Sequence, residues 1–341
     1  MLVQMRNWAR RSKNLIIAFK ILQNWRMKSR FVSGNIETSH GSSHSSKSLA
    51  ESVGYVDEQF RDYLQYGGLQ GSELAGKRIL ELGFGDNVGV ALRFLAAGAA
   101  KVVCIDKFYA KRDVQRESEI YASLRERLSE DEKQRFNEAI QIAEDIKFNE
   151  NRLCCINGLE LETAAKGLLN QAESFDFIIS RAVIEEIYEP ASVFAAADKL
   201  LAPGGVMLHK IDLSDYGMFA EGGMHPLTFL TIPGPVYRLM ASDSGIPNRK
   251  LIGYYQKQMS ELGYDAKFLV TGIIGQGPVV PHKEIAELKD EYSKLAIPLI
   301  NDIRPRLSRE FRKMPDEQLM VHGIFLIGRK PLVRPQASRS H

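Results

Sequence analysis

Glu81, Gly83, Gly85 and Gly89 fall within the nine-residue stretch Glu81-Leu-Gly-Phe-Gly-Asp-Asn-Val-Gly89, and Asp106 closes the apolar run "VVCID" 23 residues after Gly83. Glycine has no Cβ, so such a loop turns sharply and lets a ligand approach the backbone; a helix beginning behind it offers unpaired N–H groups. A carboxylate at the end of the next strand suits a pair of ribose hydroxyls. Two ligand classes fit: a nicotinamide or flavin dinucleotide, and S-adenosylmethionine. Spacing separates them, because the dinucleotide fingerprint is G-x-G-x-x-G. Here the pattern is G-x-G-x-x-x-G, with Val88 where the third glycine would stand. Charge separates them again. Glu81 and Asp86 would repel a pyrophosphate and attract an ammonium and a sulfonium. Asp106 serves either ligand and does not discriminate.

Such a loop needs a strand before it and a helix after it. From Lys77 onward short β-rich runs alternate with helical stretches, the pattern of a parallel sheet with crossover helices. The runs "KRILELG", "AKVVCID", "RLCCIN", "FDFIIS", "GVMLHKID", "AKFLVTGII" and "MVHGIFLIGRK" predict seven strands. Val88–Ala97 reads as a helix, residues 112–143 as one or two exposed helices, and "YVDEQFRDYLQYGGL" as a helix packing its rings at 55, 60, 63 and 66 on the domain before a Gly-Gly stop. In open parallel sheets ligands bind beyond the carboxyl ends of the strands, where the strand order reverses. The glycine loop is delivered to that edge.

The chain has 341 residues, 44% of them hydrophobic, enough for a substantial core. Its 45 basic and 42 acidic residues leave a net charge of only +3, so the composition does not announce a nucleic-acid partner, and none is expected. Three cysteines, two adjacent at 154 and 155, supply neither a disulfide framework nor the spaced pairs of a zinc site; no metal is expected. No apolar run reaches the roughly 18 residues of a spanning helix. The expected location is the cytoplasm, with membrane association at its cytoplasmic face.

Four segments in order, "ILELGFGDN", "VVCID", "FDFIISRAVIEEIYEP" and "LLAPGGVMLHKIDLSD", together with the late "NRKLIGYYQKQMSELGYDAKFL" and "MVHGIFLIGRKP", resemble the class I S-adenosylmethionine-dependent methyltransferases over roughly residues 52–331. The resemblance implies an α/β fold: a Rossmann-like, seven-stranded, mostly parallel sheet in the order 3-2-1-4-5-7-6, only strand 7 antiparallel, flanked by helices and preceded here by an N-terminal helical extension. It implies S-adenosyl-L-methionine as cofactor, with Glu81, Gly83 and Gly85 around its methionine part, Asp106 at the ribose, Asn157 near the adenine, and Ser180 with Arg181 facing the methyl group. Asn87 departs from the family, where many members have glycine; asparagine tolerates left-handed backbone geometry.

Methyl transfer is an in-line displacement, so the protein supplies alignment and a dry pocket. A hydroxyl acceptor also needs a base. After the fifth strand, "KIDLSDYGMFAEGGMHPLTF" offers Asp212, Asp215, Tyr216 and His225; His225 is the preferred base because its ordinary pKa suits neutral pH. Asp212 and Glu185 are the further catalytic candidates, with Glu186 as an alternative, although one of the two glutamates could merely cap a helix. The fourth strand ends in "SRAV" and lacks the Asn/Asp-Pro-Pro-aromatic motif with which related enzymes grip planar amino groups. This favours oxygen methylation of a small-molecule, glycan or lipid-linked acceptor. The competing readings are a nucleotide-dependent oxidoreductase and a non-catalytic scaffold that keeps the cofactor pocket.

The domain boundaries expected are a basic amphipathic helix over 1–36, a Ser/His/Gly-rich linker over 37–50 whose two histidines read as solvated, the main domain over 51–331 and a disordered tail over 332–341. Within the main domain, 225–250 reads as a substrate lid and 275–319 as a basic helical insertion. The first 36 residues hold eight Lys or Arg and no acid. On a helix, Trp8, Leu15, Phe19 and Leu22 share one side, and Arg6, Arg10, Lys13 and Lys20 gather opposite. Three readings stand: contact with an anionic membrane surface through residues 6–30, an ordinary docking helix, and an organelle-targeting peptide.

Overall fold

The structure is a computed structural model, and it describes residues 12–38, 44, 46–143, 145–288 and 290–333. Arg6, Trp8 and Arg10 of the N-terminal reading, and residues 334–341 of the tail, lie outside the described residues. The central sheet has eight strands: β1 Arg78–Leu82, β2 Lys101–Asp106, β3 Leu153–Asn157, β4 Phe175–Arg181, β5 Leu201–Asp212, β6 Asp265–Ile273, β7 Gly277–Glu284 and β8 Val321–Arg329. Their order is β3-β2-β1-β4-β5-β8-β6-β7. The first five lie parallel. β8 runs antiparallel to both β5 and β6, and β7 antiparallel to β6. Strand order reverses between β1 and β4, which opens a crevice at their carboxyl ends.

This is the expected fold with one strand more. Seven strands with one antiparallel were expected, whereas eight occur with two antiparallel, and the insertion read as helical opens with the edge strand β7. Its sequence "GPVVPHKE" holds two prolines, which cannot donate to a ladder and therefore suit an edge.

Strand alternation sends side chains to two cores. Leu80, Val103, Ile178 and Met207 meet α6 (Leu161–Asn170) and α7 (Pro190–Leu200) on one face. On the other, Ile79, Val102, Phe177 and Leu208 meet α2 (Leu49–Gly67), α3 (Gly89–Ala96), α4 (Val114–Glu126) and α5 (Glu130–Ala139). Helix α2 begins at a reciprocal Ser48–Glu51 capping box and stops at left-handed Gly68. Its Phe60 and Tyr63 are buried, with ring centroids 5.0 and 6.0 Å from Phe94; each contributes roughly 2–3 kcal/mol of burial. The 112–143 segment is less exposed than its charge suggested, because Tyr121 and Phe136 turn into the core.

Helix α1 (Lys13–Val32) packs on α8 (Gly234–Ala241) and leaves its Leu15, Phe19 and Leu22 stripe outward, so the docking-helix reading does not hold for that stripe. Ile16, Asn24 and Met27 are buried, while Leu15, Phe19 and Leu22 are exposed. Periodicity located the stripe but not the surface it meets. The linker region carries structure: Glu37–Thr38 pairs with Tyr109–Ala110 just past β2, and buried His44 donates its backbone N–H to Asp86 Oδ2 at 3.1 Å. The reading of His44 as solvated is thereby corrected, since His44 itself lies against Asp86 of the glycine loop.

Candidate active site

The cofactor side is built from β1, β2 and the loop between β1 and α3. Gly83 and Gly85 both adopt left-handed geometry, at φ +70° and +62°. Gly83 N–H donates to the Ile105 carbonyl at 2.8 Å, which ties the loop to the end of β2. A Cβ on Gly83 would overlap Val183 Cγ2. Asp106 accepts from Phe108 N–H at 2.9 Å and Gly85 N–H at 3.2 Å, and burial raises its pKa above the ordinary aspartate value. Each carboxylate oxygen keeps a lone pair for a further donor. Asn157 stands in register beside Asp106 at the end of β3. Glu81 is buried, 3.6 Å from Cys104 Sγ, and burial pushes its carboxyl up to about 8.

Asn87 does not use left-handed geometry; its Oδ1 accepts from Gly89 N–H at 2.7 Å at the start of α3. Val88 N–H donates to Tyr121 Oη at 3.1 Å, and that hydroxyl donates to Glu117 at 2.8 Å. The first N–H groups of α3 are thus occupied by side chains. A dinucleotide's pyrophosphate uses just such groups, so this loop is not built for one. Tyr121 and Glu117 escaped the sequence reading, since a tyrosine in a charged helix 33 residues away carries no local signal.

The acceptor side is built from the turn after β4 and the loop after β5. Glu185 is buried; Oε1 accepts from Asp212 N–H at 2.9 Å and from the Tyr216 hydroxyl at 2.9 Å. Its Oε2 is also buried and has no hydrogen-bond partner among the described residues. Glu186 is reached by solvent yet closely surrounded by protein, so it lines a concave wall. A Cβ on Gly245 would lie 3.2 Å from Glu186 Oε2. Burial pushes both glutamates up to about 8, and for Glu186 the charges of Glu185 and Asp106 add to it. The Asp106 contribution places Glu186 within electrostatic reach of the ribose acid. Ala182, Tyr216 and Arg249 adopt φ of +54°, +55° and +64°, values that are uncommon without glycine.

The structure therefore brings together Glu81, Gly83, Gly85, Asp106 and Asn157, and, across Val183, Glu185, Glu186 and Tyr216. Other residues fall elsewhere. Ser180 Oγ lies 2.7 Å from His209 Nδ1, both buried, and desolvation pushes His209 down to about 3 so that it is neutral. Ser180 thus faces the core. Arg181 is engaged with Asp62 at 2.8 Å and Glu58 at 3.3 Å. Asp212 shapes its own turn, Oδ1 accepting from Ser214 N–H at 2.8 Å. His225 Nδ1 accepts from Leu227 N–H at 3.0 Å, and burial lowers its pKa. Among the described residues no hydrogen bond joins it to Glu185, Glu186 or Asp212. The 225–250 stretch is packed firmly: Arg249 donates to the Phe229 and Ile232 carbonyls at 3.3 and 2.6 Å, and Asn248 N–H donates to the Glu185 carbonyl at 2.7 Å.

The residues fit S-adenosylmethionine. The Gly83 cradle admits backbone approach, Asp106 retains acceptor capacity, and Glu81, Glu185 and Glu186 form no ion pair with a protein cation among the described residues. A buried acid without a cation beside it is costly, and a sulfonium and an ammonium compensate it.

A model described as a methyltransferase domain matches residues 53–261. No curated relative matches the chain. Among solved structures, phosphoethanolamine N-methyltransferase 2 of Haemonchus contortus, in complex with S-adenosyl-L-methionine, is similar at 12% identity and a TM-score of 0.40, covering 80% of this chain and 52% of that one. The CurJ carbon methyltransferase is similar at 12% identity and 0.39, covering 93% and 67%. An O-methyltransferase of Bacillus cereus is similar at 16% identity and 0.36, covering 90% of each. The chain spans about half the length of the Haemonchus enzyme. The match over most of the domain, on a fold whose glycine loop and acidic strand ends suit a sulfonium nucleoside, identifies the chain as a member of the methyltransferase-domain family, a class I S-adenosylmethionine-dependent methyltransferase.

Proposed function

We propose that the chain transfers a methyl group to a hydroxyl oxygen of a small-molecule, glycan or lipid-linked acceptor in the cytoplasm, with Glu186 taking the hydroxyl proton. The observation that carries this reading is the place of Glu186: a solvent-reached acid next to buried Glu185, paired with no cation among the described residues, and raised to about 8 by its close protein surroundings and by the charges of Glu185 and Asp106. A base matched to neutral pH is what a hydroxyl acceptor requires and an amine does not. Bound S-adenosylmethionine supplies the electrophilic methyl carbon. Glu81, Gly83 and Asp106 hold the cofactor side, while Tyr216 and Asp212 N–H fix Glu185 so that Glu186 projects into the crevice. The acceptor O–H bond breaks toward a Glu186 carboxylate oxygen as the new C–O bond forms and the methyl–sulfur bond breaks, its electron pair leaving on the sulfur of S-adenosylhomocysteine.

The test is Glu186→Gln. We expect kcat to fall by about 10²- to 10⁴-fold while calorimetric binding of S-adenosylhomocysteine, which has no sulfonium charge, changes less than about threefold. In the wild type, turnover should rise with pH as the glutamate pair loses its proton near 8. Unchanged turnover in the variant, or transfer to amines alone, would remove the oxygen reading.

A further inference from the structure

Helix α1 is attached to the domain by a mixed side on which Ile16 and Met27 are buried, Ile17 and Ile21 pack on the core, and polar side chains pin the contact. Lys13 Nζ donates to Thr231 Oγ1 at 2.5 Å, Asn24 Nδ2 to Ser242 Oγ at 3.0 Å, and Asp243 N–H to Asn24 Oδ1 at 2.7 Å. The other side carries Leu15, Phe19, Leu22 and Trp25, spaced four, three and three residues apart, and these are 41, 63, 60 and 66% exposed. Leu239 of the neighbouring α8 adds an apolar residue at 59%. A surface helix of a soluble domain puts such a stripe inward. Here it points to solvent, and clustered exposed apolar side chains mark an interaction surface.

We propose that this outward face of α1, with Leu239, docks on an anionic lipid bilayer. Charge argues for lipid over a protein partner or a second copy. Arg26 follows Trp25 on the outward side of the same helix, and Lys28 and Arg238, the latter next to Leu239 in sequence, are also exposed. The first 36 residues contain eight cations and no anion. Two identical faces of that charge would repel one another. An anionic leaflet attracts each basic residue by about 1 kcal/mol, and a tryptophan on the apolar side suits the headgroup level. The contact is peripheral, since among the described residues no helix is long and apolar enough to cross a membrane. Its position bears on the acceptor: Asn24 grips Ser242 and Asp243 at the start of the loop whose Gly245 abuts Glu186. Docking through α1 places the crevice beside the bilayer and, on the oxygen-methylation reading, narrows the acceptor to a membrane-resident hydroxyl compound.

The experiment compares sedimentation of the full chain with phosphatidylcholine vesicles, alone or containing phosphatidylglycerol. The expected result is at least tenfold greater retention on the anionic vesicles at low salt, lost at high salt, and lost in a Phe19→Ser/Leu22→Ser/Trp25→Ser variant. That variant alters exposed residues only, and unchanged S-adenosylhomocysteine binding and thermal midpoint certify its fold. Equal retention of wild type and variant overturns the proposal. So does a concentration-dependent wild-type dimer that the variant abolishes without vesicle binding by either. Vesicle binding is read without turnover, so a Glu186→Gln chain that sediments like the wild type yet keeps its full turnover would overturn the oxygen reading alone.

Discussion

The two halves of the crevice are constructed differently. On the cofactor side, Asp106 accepts two backbone N–H groups and the exceptional φ angles belong to glycines. On the acceptor side, Glu185 leaves Oε2 buried without a partner, Glu186 lies beside other acids, and three of the four described non-glycine residues with positive φ gather at Ala182, Tyr216 and Arg249. Such residues persist only where the surroundings hold them, and each costs of order 1–3 kcal/mol. One half spends its backbone donors on Asp106 and leaves only Glu81 without a compensating charge. The other leaves a buried carboxylate oxygen of Glu185 without a partner and sets Glu186 among like charges, and on the proposed function this is the half in which a proton moves.

Substitutions can break this contrast. The largest effect is expected at Gly83→Ala, where a Cβ at φ +70° would overlap Val183 Cγ2. Overpacking by about 1–3 kcal/mol and the left-handed cost should weaken cofactor binding by at least about 100-fold in calorimetry. Adding Val183→Ala should restore part of that loss, and no restoration would show that the overlap is not the cause. The next effect is expected from Glu185→Gln, on the pH dependence of stability. Burial raises this acid to about 8, so its favourable contribution is complete below the ordinary glutamate pKa and disappears as pH rises through 8. Denaturant midpoints should therefore fall from pH 5 to pH 9 in the wild type and fall less in the variant. A parallel decline would place the cost elsewhere. The smallest effect is expected from His225→Asn. The ring accepts from Leu227 N–H and has no hydrogen bond to the acid cluster, so kcat should change less than about threefold; a large loss would return it to the chemistry.

The parallel strands were legible because alternation and turn signals agreed along them, and the glycine loop because its function is a matter of backbone. What was not legible depended on direction. Ser180 looked like a cofactor neighbour by position, but strand alternation turns it to His209. His225 looked like a base by residue type, yet its ring nitrogen closes a turn. Tyr216 and Glu186 stood among the residues considered, and only the fold shows that the tyrosine hydroxyl donates to buried Glu185 while the second glutamate is exposed. The α1 stripe was found by period, but its outward orientation depends on Asn24 and Lys13 finding partners more than 200 residues away. Long-range pairing of that kind leaves no trace in local spacing.

Val183 occupies the volume that any side chain at position 83 would need. The two positions therefore share a fixed allowance of space. Enlarging residue 183 to reshape the acceptor pocket presses on the glycine loop, and shrinking it loosens the cofactor's cradle. On the proposed function, acceptor range and cofactor affinity are therefore coupled at that point.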